Sequence, residues 1–154
     1  MRALIQRVTW GKVNISGKLF NEIKEGFVIL LGVWQKDSEK EAEIIADKTV
    51  NLRVMSDKTG KMNLSILDTK GEILVISQFT LYADLKTGRR PSFLKSAKPE
   101  IAEKLYNHYV DKLKNSGVSK VVTGQFGAYM QVELNNDGPV TIMIDSDDFK
   151  LFDT

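Results

Sequence analysis

The sequence has no cysteine and a single histidine, His108, and these two scarcities remove most of the familiar catalytic sites. Without cysteine, disulfides and thiolate nucleophiles are excluded. A Ser-His-Asp triad would have to use His108, but a lone histidine within a predicted helix is more often a surface or core-edge residue. Glycine-rich nucleotide-binding motifs are also absent, and we expect neither a metal nor another cofactor. A hydrolase with this sequence must therefore work without the standard side-chain machinery.

Long apolar runs and an excess of charge of one sign are missing too. The 22 basic and 20 acidic residues leave a net charge of +2, which gives little support for strong non-specific nucleic-acid binding, although a local basic patch remains open. The longest apolar run, residues 27–34, contains Gly32 and is too short to cross a bilayer. Residues 1–8 alternate like a strand and lack the apolar centre of a signal peptide. We therefore expect a cytoplasmic protein that has no membrane partner.

The periodicity of apolar residues predicts a single α+β domain over residues 1–154, with a mainly antiparallel, curved or barrel-like sheet and two helices. One helix is predicted to begin after Ser38, which can form a capping box with Glu41. The other is predicted to run from Pro99 to about Asn115. The predicted strands are residues 2–10, 12–16, 19–23, 27–34, 72–79, 120–123, 130–134 and 140–144.

The segment Ser77-Gln78-Phe79-Thr80 ends a strongly apolar run with hydroxyl and amide groups. Such a cluster, together with the backbone N–H groups that emerge there, could stabilise a developing oxyanion. Strand ends often become polar as they leave the core, so an ordinary strand terminus is the alternative interpretation.

The pair Gly138-Pro139 lies between two alternating apolar stretches. Proline has no N–H and glycine has no side chain, so this pair can present bare carbonyl groups to a donor such as a substrate ammonium. The alternative is a plain hairpin turn, because the preceding Asn136 and Asp137 are good turn residues.

A local basic patch surrounds Arg89 and Arg90, with Lys86, Phe93 and Lys95 nearby. It could contact phosphates, although charged residues in loops are usually only solvated. Its closeness in sequence to residues 77–80 favours a functional role for this loop.

These motifs resemble, over essentially the whole chain, the D-aminoacyl-tRNA deacylases, which are also called D-tyrosyl-tRNA deacylases. A related group that is relaxed in chirality has Pro and Ala where this chain has Ser77 and Phe79, so the resemblance is to the chirality-selective type. The matching pieces, in order, are residues 1–8 with Gly11, 26–32, Gly60-Lys61-Met62-Asn63, Ser77-Gln78-Phe79-Thr80-Leu81, Arg90-Pro91-Ser92-Phe93 and Asn136-Asp137-Gly138-Pro139-Val140-Thr141.

The resemblance implies an enzyme that hydrolyses the ester bond of D-aminoacyl-tRNA, and a homodimer with active sites at the subunit interface. It implies a cis peptide at Gly138-Pro139 that reaches into the partner's pocket and directs its carbonyls at the α-ammonium. Around the scissile ester it places Ser77, Gln78, Phe79 and Thr80, and along the pocket wall it places Phe126 and Met130.

A main-chain filter of this kind selects by exclusion, because an L side chain would collide with the Gly-Pro backbone whereas a D side chain points outward. Glycine has no side chain, so we expect glycyl-tRNA to be hydrolysed as well. Thr80 has no visible base and is a weak nucleophile. We therefore favour orientation by Thr80 and Gln78, an oxyanion held by the N–H groups of Phe79 and Thr80, and attack by water assisted by the ribose 2′-hydroxyl.

Two other functions remain open at this stage. One is a non-catalytic RNA-binding module that uses the basic loop around Arg89 and Arg90. The other is a hydrolase of small esters that is indifferent to RNA. Release assays with D-Tyr-tRNA, L-Tyr-tRNA and free D-amino-acid esters separate the three.

Overall fold

A six-stranded sheet organises the chain, which the computed structural model describes over residues 1–152. Its central strand is β1, which pairs along one edge with β8 and along the other edge with β3 and then β2. The strands are β1 (Arg2–Ile15), β2 (Lys18–Ile23), β3 (Gly26–Gly32), β6 (Glu72–Ser77), β7 (Lys120–Thr123) and β8 (Met130–Asp145), and a separate hairpin is formed by β4 (Met55–Ser56) and β5 (Met62–Leu64).

The helices are α1 (Glu39–Asn51), α2 (Ile66–Thr69) and α3 (Pro99–Asn115). Short 3-10 helices follow β6 at Phe79–Tyr82 and β8 at Ser146–Phe152. The predicted capping box at Ser38 and the predicted bounds of α3 are confirmed. Across residues 1–152, no helix combines the length and the apolar character needed to cross a membrane.

The predicted single α+β domain is confirmed, with two differences in detail: the sheet is mixed, although most of its pairings are antiparallel, and the described residues form three helices instead of two. β3 pairs with β6 in parallel, and β6 with β7 in parallel. Each of these connections passes through a helix, and a crossover of that kind returns the chain in the same direction. The predicted barrel-like curvature is confirmed: the sheet nearly closes where Asn21 Nδ2 donates to the Thr123 carbonyl at 2.7 Å.

Two pairs of predicted strands are in fact single strands. Gly11 does not interrupt β1, because it is a close-packed position: a Cβ there would lie 2.4 Å from Val28 Cγ2. Likewise residues 130–145 form one strand, β8, that pairs with β1 on both sides of the Gly-Pro pair. The predicted 72–79 strand ends at Ser77, because Gln78 precedes a 3-10 helix that begins at Phe79.

The core lies on both faces of β3. Phe27, Ile29 and Leu31 pack towards α1 and α3, while Val28 packs inside the curved sheet with residues such as Leu74. This explains the continuous apolar run of β3, because a strand covered on both faces needs apolar residues at every position. The rigid layer of β3 and β6 positions the segment that follows β6.

Candidate active site

A cavity of about 570 Å³ opens at the carboxyl end of β6. Most of its wall is apolar, and its polar side chains are few, which is typical of sites that bind a small organic group. The lining residues come from the ends of β3 and β6 and the turn after each, the segment that leads into α3, the start of α3, the β7–β8 connection and β8: Leu31, Val33, Ile76, Ser77, Gln78, Phe79, Phe93, Ser96, Ala97, Pro99, Ala102, Phe126, Gly127, Ala128, Tyr129, Met130 and Val132.

The chain turns sharply at Gln78, where β6 gives way to the 3-10 helix. The Gln78 N–H makes a last sheet-like bond to the Leu31 carbonyl at 2.8 Å, and the Leu81 N–H then donates back to the Gln78 carbonyl at 3.3 Å. Phe79 and Thr80 are therefore the first residues of a 3-10 helix, where N–H groups have no carbonyl partner within the helix. The turn thus presents backbone donors beside the cavity.

Gln78 and Thr80 are coupled by a side-chain hydrogen bond from Gln78 Nε2 to Thr80 Oγ1. Gln78 lines the cavity, whereas Thr80 is exposed and lies outside the lining. The Phe79 ring packs edge-on against Phe93 with centroids 4.9 Å apart, and the Ser96 hydroxyl donates to the Phe79 carbonyl at 3.0 Å. These contacts fix the 3-10 turn against the segment that leads into α3.

The opposite wall contains Phe126 and Met130. The Phe126 ring lies 5.9 Å from that of Tyr106, whose hydroxyl donates to the Val75 carbonyl at 2.8 Å. Burial raises the pKa of Tyr106, so its hydroxyl remains a neutral donor that supports the wall.

None of the lining residues is a carboxylate, histidine, lysine or arginine. His108 lies on the α1–α3 surface, where its Nε2 is 3.1 Å from Glu43 Oε1, and it takes no part in the cavity. Across the described residues no group of three or more His, Asp or Glu side chains is placed to hold a metal ion. The chemistry that the cavity itself can supply is therefore orientation and hydrogen bonding by neutral groups.

The Gly138-Pro139 pair forms a bulge, and the alternative of a plain hairpin turn is wrong. Gln6 pairs with Thr141 and Val8 with Asn136, so residues 137–140 of β8 stand opposite one residue of β1. The Gly138–Pro139 peptide is cis, and both residues are exposed.

The side chains of Arg7 and Asn136 form hydrogen bonds that hold this bulge in place. Arg7 Nε donates to the Asp137 carbonyl at 2.9 Å, and its Nη1 donates to the Val54 carbonyl at 2.8 Å. Across the base of the bulge, the Val140 N–H donates to Asn136 Oδ1 at 2.7 Å. The protruding pair is thus held by side chains of its own chain.

Within one chain, the bulge and the cavity lie apart. Ser77 of β6 pairs with Leu31 of β3, and Leu31 pairs with Ala3 of β1. The bulge stands opposite Arg7 of β1. The lining of the cavity includes no residue of the bulge, residues 137–140. The structure therefore brings Ser77, Gln78, Phe79, Phe126 and Met130 together and leaves Gly138 and Pro139 outside that group.

Residues 4–145 match the family model described as D-Tyr-tRNA(Tyr) deacylase. The chain belongs to this family. The predicted family and the prediction of an enzyme of the deacylase class are thereby confirmed.

Curated relatives match the chain along nearly its whole length. A D-aminoacyl-tRNA deacylase of Thermosipho melanesiensis is 53% identical over 146 residues, which cover 95% of this chain and 97% of that protein. One from Clostridioides difficile is 50% identical with the same coverage.

Among solved structures, the c-Myc DNA Unwinding Element Binding Protein is 40% identical with a TM-score of 0.89, covering 94% of this chain and 98% of that one. A probable eukaryotic D-amino acid tRNA deacylase has a TM-score of 0.80 over 93% and 97% of the chains. At 15% identity, that likeness shows the shared deacylase fold alone.

Sequence reasoning missed several residues in and around the candidate site. Arg7 could have been identified from the alternation of β1. It lies on the same face of the strand as the apolar residues Ala3 and Ile5, where a charged side chain is unusual. Ser96 and Tyr129 carried no comparable signal, since only the fold brings them to the cavity.

Proposed function

We propose that the protein hydrolyses the ester bond of D-aminoacyl-tRNA, releasing a free D-amino acid and tRNA, and that it does so in the cytoplasm. The observation that carries this proposal is the cavity at the end of β6, where Ser77, Gln78 and the first N–H groups of the 3-10 helix converge in a chain of the deacylase family. An aminoacyl-adenosine terminus matches such a cavity, because its side chain is often apolar and its ester is polar.

The mechanism we propose uses orientation and backbone electrostatics. The carbonyl oxygen of the ester becomes an oxyanion as water attacks, and N–H donors at Phe79 and Thr80 would stabilise that charge. Gln78 and Thr80, coupled by their hydrogen bond, would hold the ester in place. With no carboxylate or imidazole in the lining, the ribose 2′-hydroxyl of the substrate is the group left to assist the water.

We further propose a homodimer in which the bulge of one protomer enters the cavity of its partner. Three observations support this: the Gly138-Pro139 pair is exposed, it is braced by Arg7 and Asn136, and it lies away from the cavity of its own chain. Its carbonyls would accept hydrogen bonds from the α-ammonium, while its backbone would collide with an L side chain. A substrate without a side chain escapes this exclusion, so glycyl-tRNA would also be cleaved.

Parallel release assays with D-Tyr-tRNA, L-Tyr-tRNA and Gly-tRNA test the proposal. We expect release from the D and glycyl substrates and none above the spontaneous rate from the L substrate. Binding of tRNA without release would instead support the RNA-binding module, and equal cleavage of free D-amino-acid esters would support a small-ester hydrolase.

A further inference from the structure

A basic hairpin loop projects from the rim of the cavity. Two backbone hydrogen bonds between Asp84 and Ser92, at 2.8 Å and 3.0 Å, close the loop, and every residue from 85 to 91 is exposed. We call residues 85–98 the basic segment, because they include five lysines and arginines and no acidic residue: Lys86, Arg89, Arg90, Lys95 and Lys98. Since the whole chain carries only +2, the rest of it is net acidic, and positive charge is concentrated here.

The two arginines at the loop tip are free to bind an external anion. Lys95 is engaged with Asp84, with Nζ 2.9 Å from Oδ2. Arg89 and Arg90, in contrast, are exposed and form no ion pair with any residue in the part of the chain that the structure describes. A guanidinium is planar and can donate two parallel hydrogen bonds to a phosphate, which suits these residues to that ligand.

The basic segment is joined directly to the cavity. Its Phe93 packs against Phe79, and its Ser96 donates to the Phe79 carbonyl. A shallow depression next to the loop is lined by Arg2, Lys86 and Lys95 together with Asp84. Its Arg2 and Lys95 are already paired, with Asp145 and Asp84 respectively, so Lys86 is the cation there without an ion-pair partner among the described residues. An anion held by the loop would therefore lie just outside the mouth of the cavity.

We infer that the basic segment binds backbone phosphates of the tRNA acceptor end while the aminoacyl-adenosine occupies the cavity. This inference rests on the proposed function, which places the 3′ terminus in the cavity and so makes the preceding nucleotides leave through its mouth. Each of those nucleotides carries a phosphate. Because the chain as a whole is nearly neutral, steering of a polyanionic substrate must come from a local group of cations such as this one.

The decisive experiment compares the Arg89→Gln/Arg90→Gln enzyme with the parent on D-Tyr-tRNA over a range of salt concentrations. We expect KM to rise by roughly tenfold at low salt while kcat stays within about twofold. The slope of log(kcat/KM) against log[salt] should become shallower by about 1.4, since each contact to a single-stranded phosphate contributes about 0.7. An Arg89→Lys/Arg90→Lys enzyme should recover most of the slope, because it keeps both charges.

Two controls make the result specific. Lys24→Gln/Lys114→Gln removes the same charge at exposed positions at the other end of the fold, where α3 ends some 22 Å from Pro99, and should leave KM and slope unchanged. The ester of D-tyrosine with adenosine alone has no phosphate, so the Arg89/Arg90 variant should cleave it as the parent does.

Either of two results would overturn the inference: an unchanged salt slope with D-Tyr-tRNA, or an equal loss with the adenosine ester, which would mean that the loop only shapes the cavity. Failure of the proposed function is separately visible, because the parent enzyme itself would then fail to prefer D-Tyr-tRNA over L-Tyr-tRNA.

Discussion

At the scale of single residues, the role of Thr80 separates two mechanisms of ester hydrolysis. Its hydroxyl accepts a hydrogen bond from Gln78, and the cavity lining offers no side-chain base that would activate it as a nucleophile. Removing a group that only orients the substrate lowers the rate less than removing a group that forms a covalent bond to it.

We therefore predict that Thr80→Ala lowers kcat on D-Tyr-tRNA by roughly 10- to 100-fold without abolishing turnover, because the backbone donors remain. Thr80→Ser should retain most of the activity. Single-turnover kinetics and mass spectrometry of the quenched parent enzyme check this. A trapped acyl-enzyme in the parent, together with complete loss in the alanine variant, would establish covalent catalysis instead.

Arg7 is the residue whose loss should affect both stability and selectivity. Its guanidinium is largely buried and donates to the Asp137 and Val54 carbonyls. Arg7→Ala leaves the buried Val54 carbonyl and the partly buried Asp137 carbonyl without this donor. We predict a loss of about 2–3 kcal/mol in the free energy of unfolding, measured by denaturant titration. The loosened bulge should also lower the ratio of D-Tyr-tRNA to L-Tyr-tRNA hydrolysis.

Lys12 provides the comparison on the same strand. It is partly exposed, and its Nζ lies 3.3 Å from Glu133 Oε2. Because exposed ion pairs contribute little, Lys12→Ala should change the free energy of unfolding by less than about 1 kcal/mol and leave the D/L ratio intact. Similar effects of the two substitutions would show that Arg7 does not hold the bulge.

At the scale of elements, the bulge in β8 depends on a glycine. Gly138 has a φ of 139°, which L residues rarely adopt, and a Cβ there would lie 2.7 Å from Val140 Cγ2 and 3.2 Å from an Arg7 guanidinium nitrogen. We predict that Gly138→Ala reshapes the bulge and lowers kcat/KM on D-Tyr-tRNA by at least about tenfold, since a small displacement near a reacting ester is costly.

The matched control is Gly60→Ala, at a turn between β4 and β5 where φ is +79° and nothing lies within 4 Å of the added Cβ. This variant also places an L residue at a positive φ but lies outside the proposed site, so its melting temperature should fall while its kcat/KM stays close to that of the parent. Full activity in Gly138→Ala would remove the bulge from the mechanism.

The elements also show where prediction from sequence succeeds and where it ends. The capping box at Ser38 and the bounds Pro99–Asn115 depend on residues close in the chain, so local patterns were sufficient. The parallel pairing of β3 with β6 joins residues more than forty positions apart, and no local pattern encodes it. The bulge is of the same kind, because only the pairing of β8 with β1 distinguishes it from a hairpin turn.

The same limit applies to the candidate site. Ser77, Gln78 and Phe79 are consecutive and could be identified from their polar character after an apolar strand. Tyr129 and Ser96 reach the cavity through the β7–β8 connection and the segment before α3, respectively. Their participation follows from the closure of the sheet and the packing of α3, which are properties of the whole fold.

At the scale of the whole molecule, the separation of bulge and cavity within one chain predicts that each active site combines two protomers. In a heterodimer of Thr80→Ala and Gly138→Ala chains, one site would receive both defects and the other would receive neither. The intact site would consist of the normal cavity of the Gly138→Ala chain and the normal bulge of the Thr80→Ala chain. Two poorly active proteins should therefore restore each other after subunit exchange.

For an equal mixture that exchanges freely, half of the dimers are heterodimers and each has one intact site, so we predict about a quarter of the parent activity on D-Tyr-tRNA. Sedimentation equilibrium tests whether the protein is a dimer, and each variant assayed alone gives the baseline activity. If each site were built within one chain, every site in the mixture would keep one defect. Activity would then stay at the average of the two variants, which distinguishes a shared site from a self-contained one.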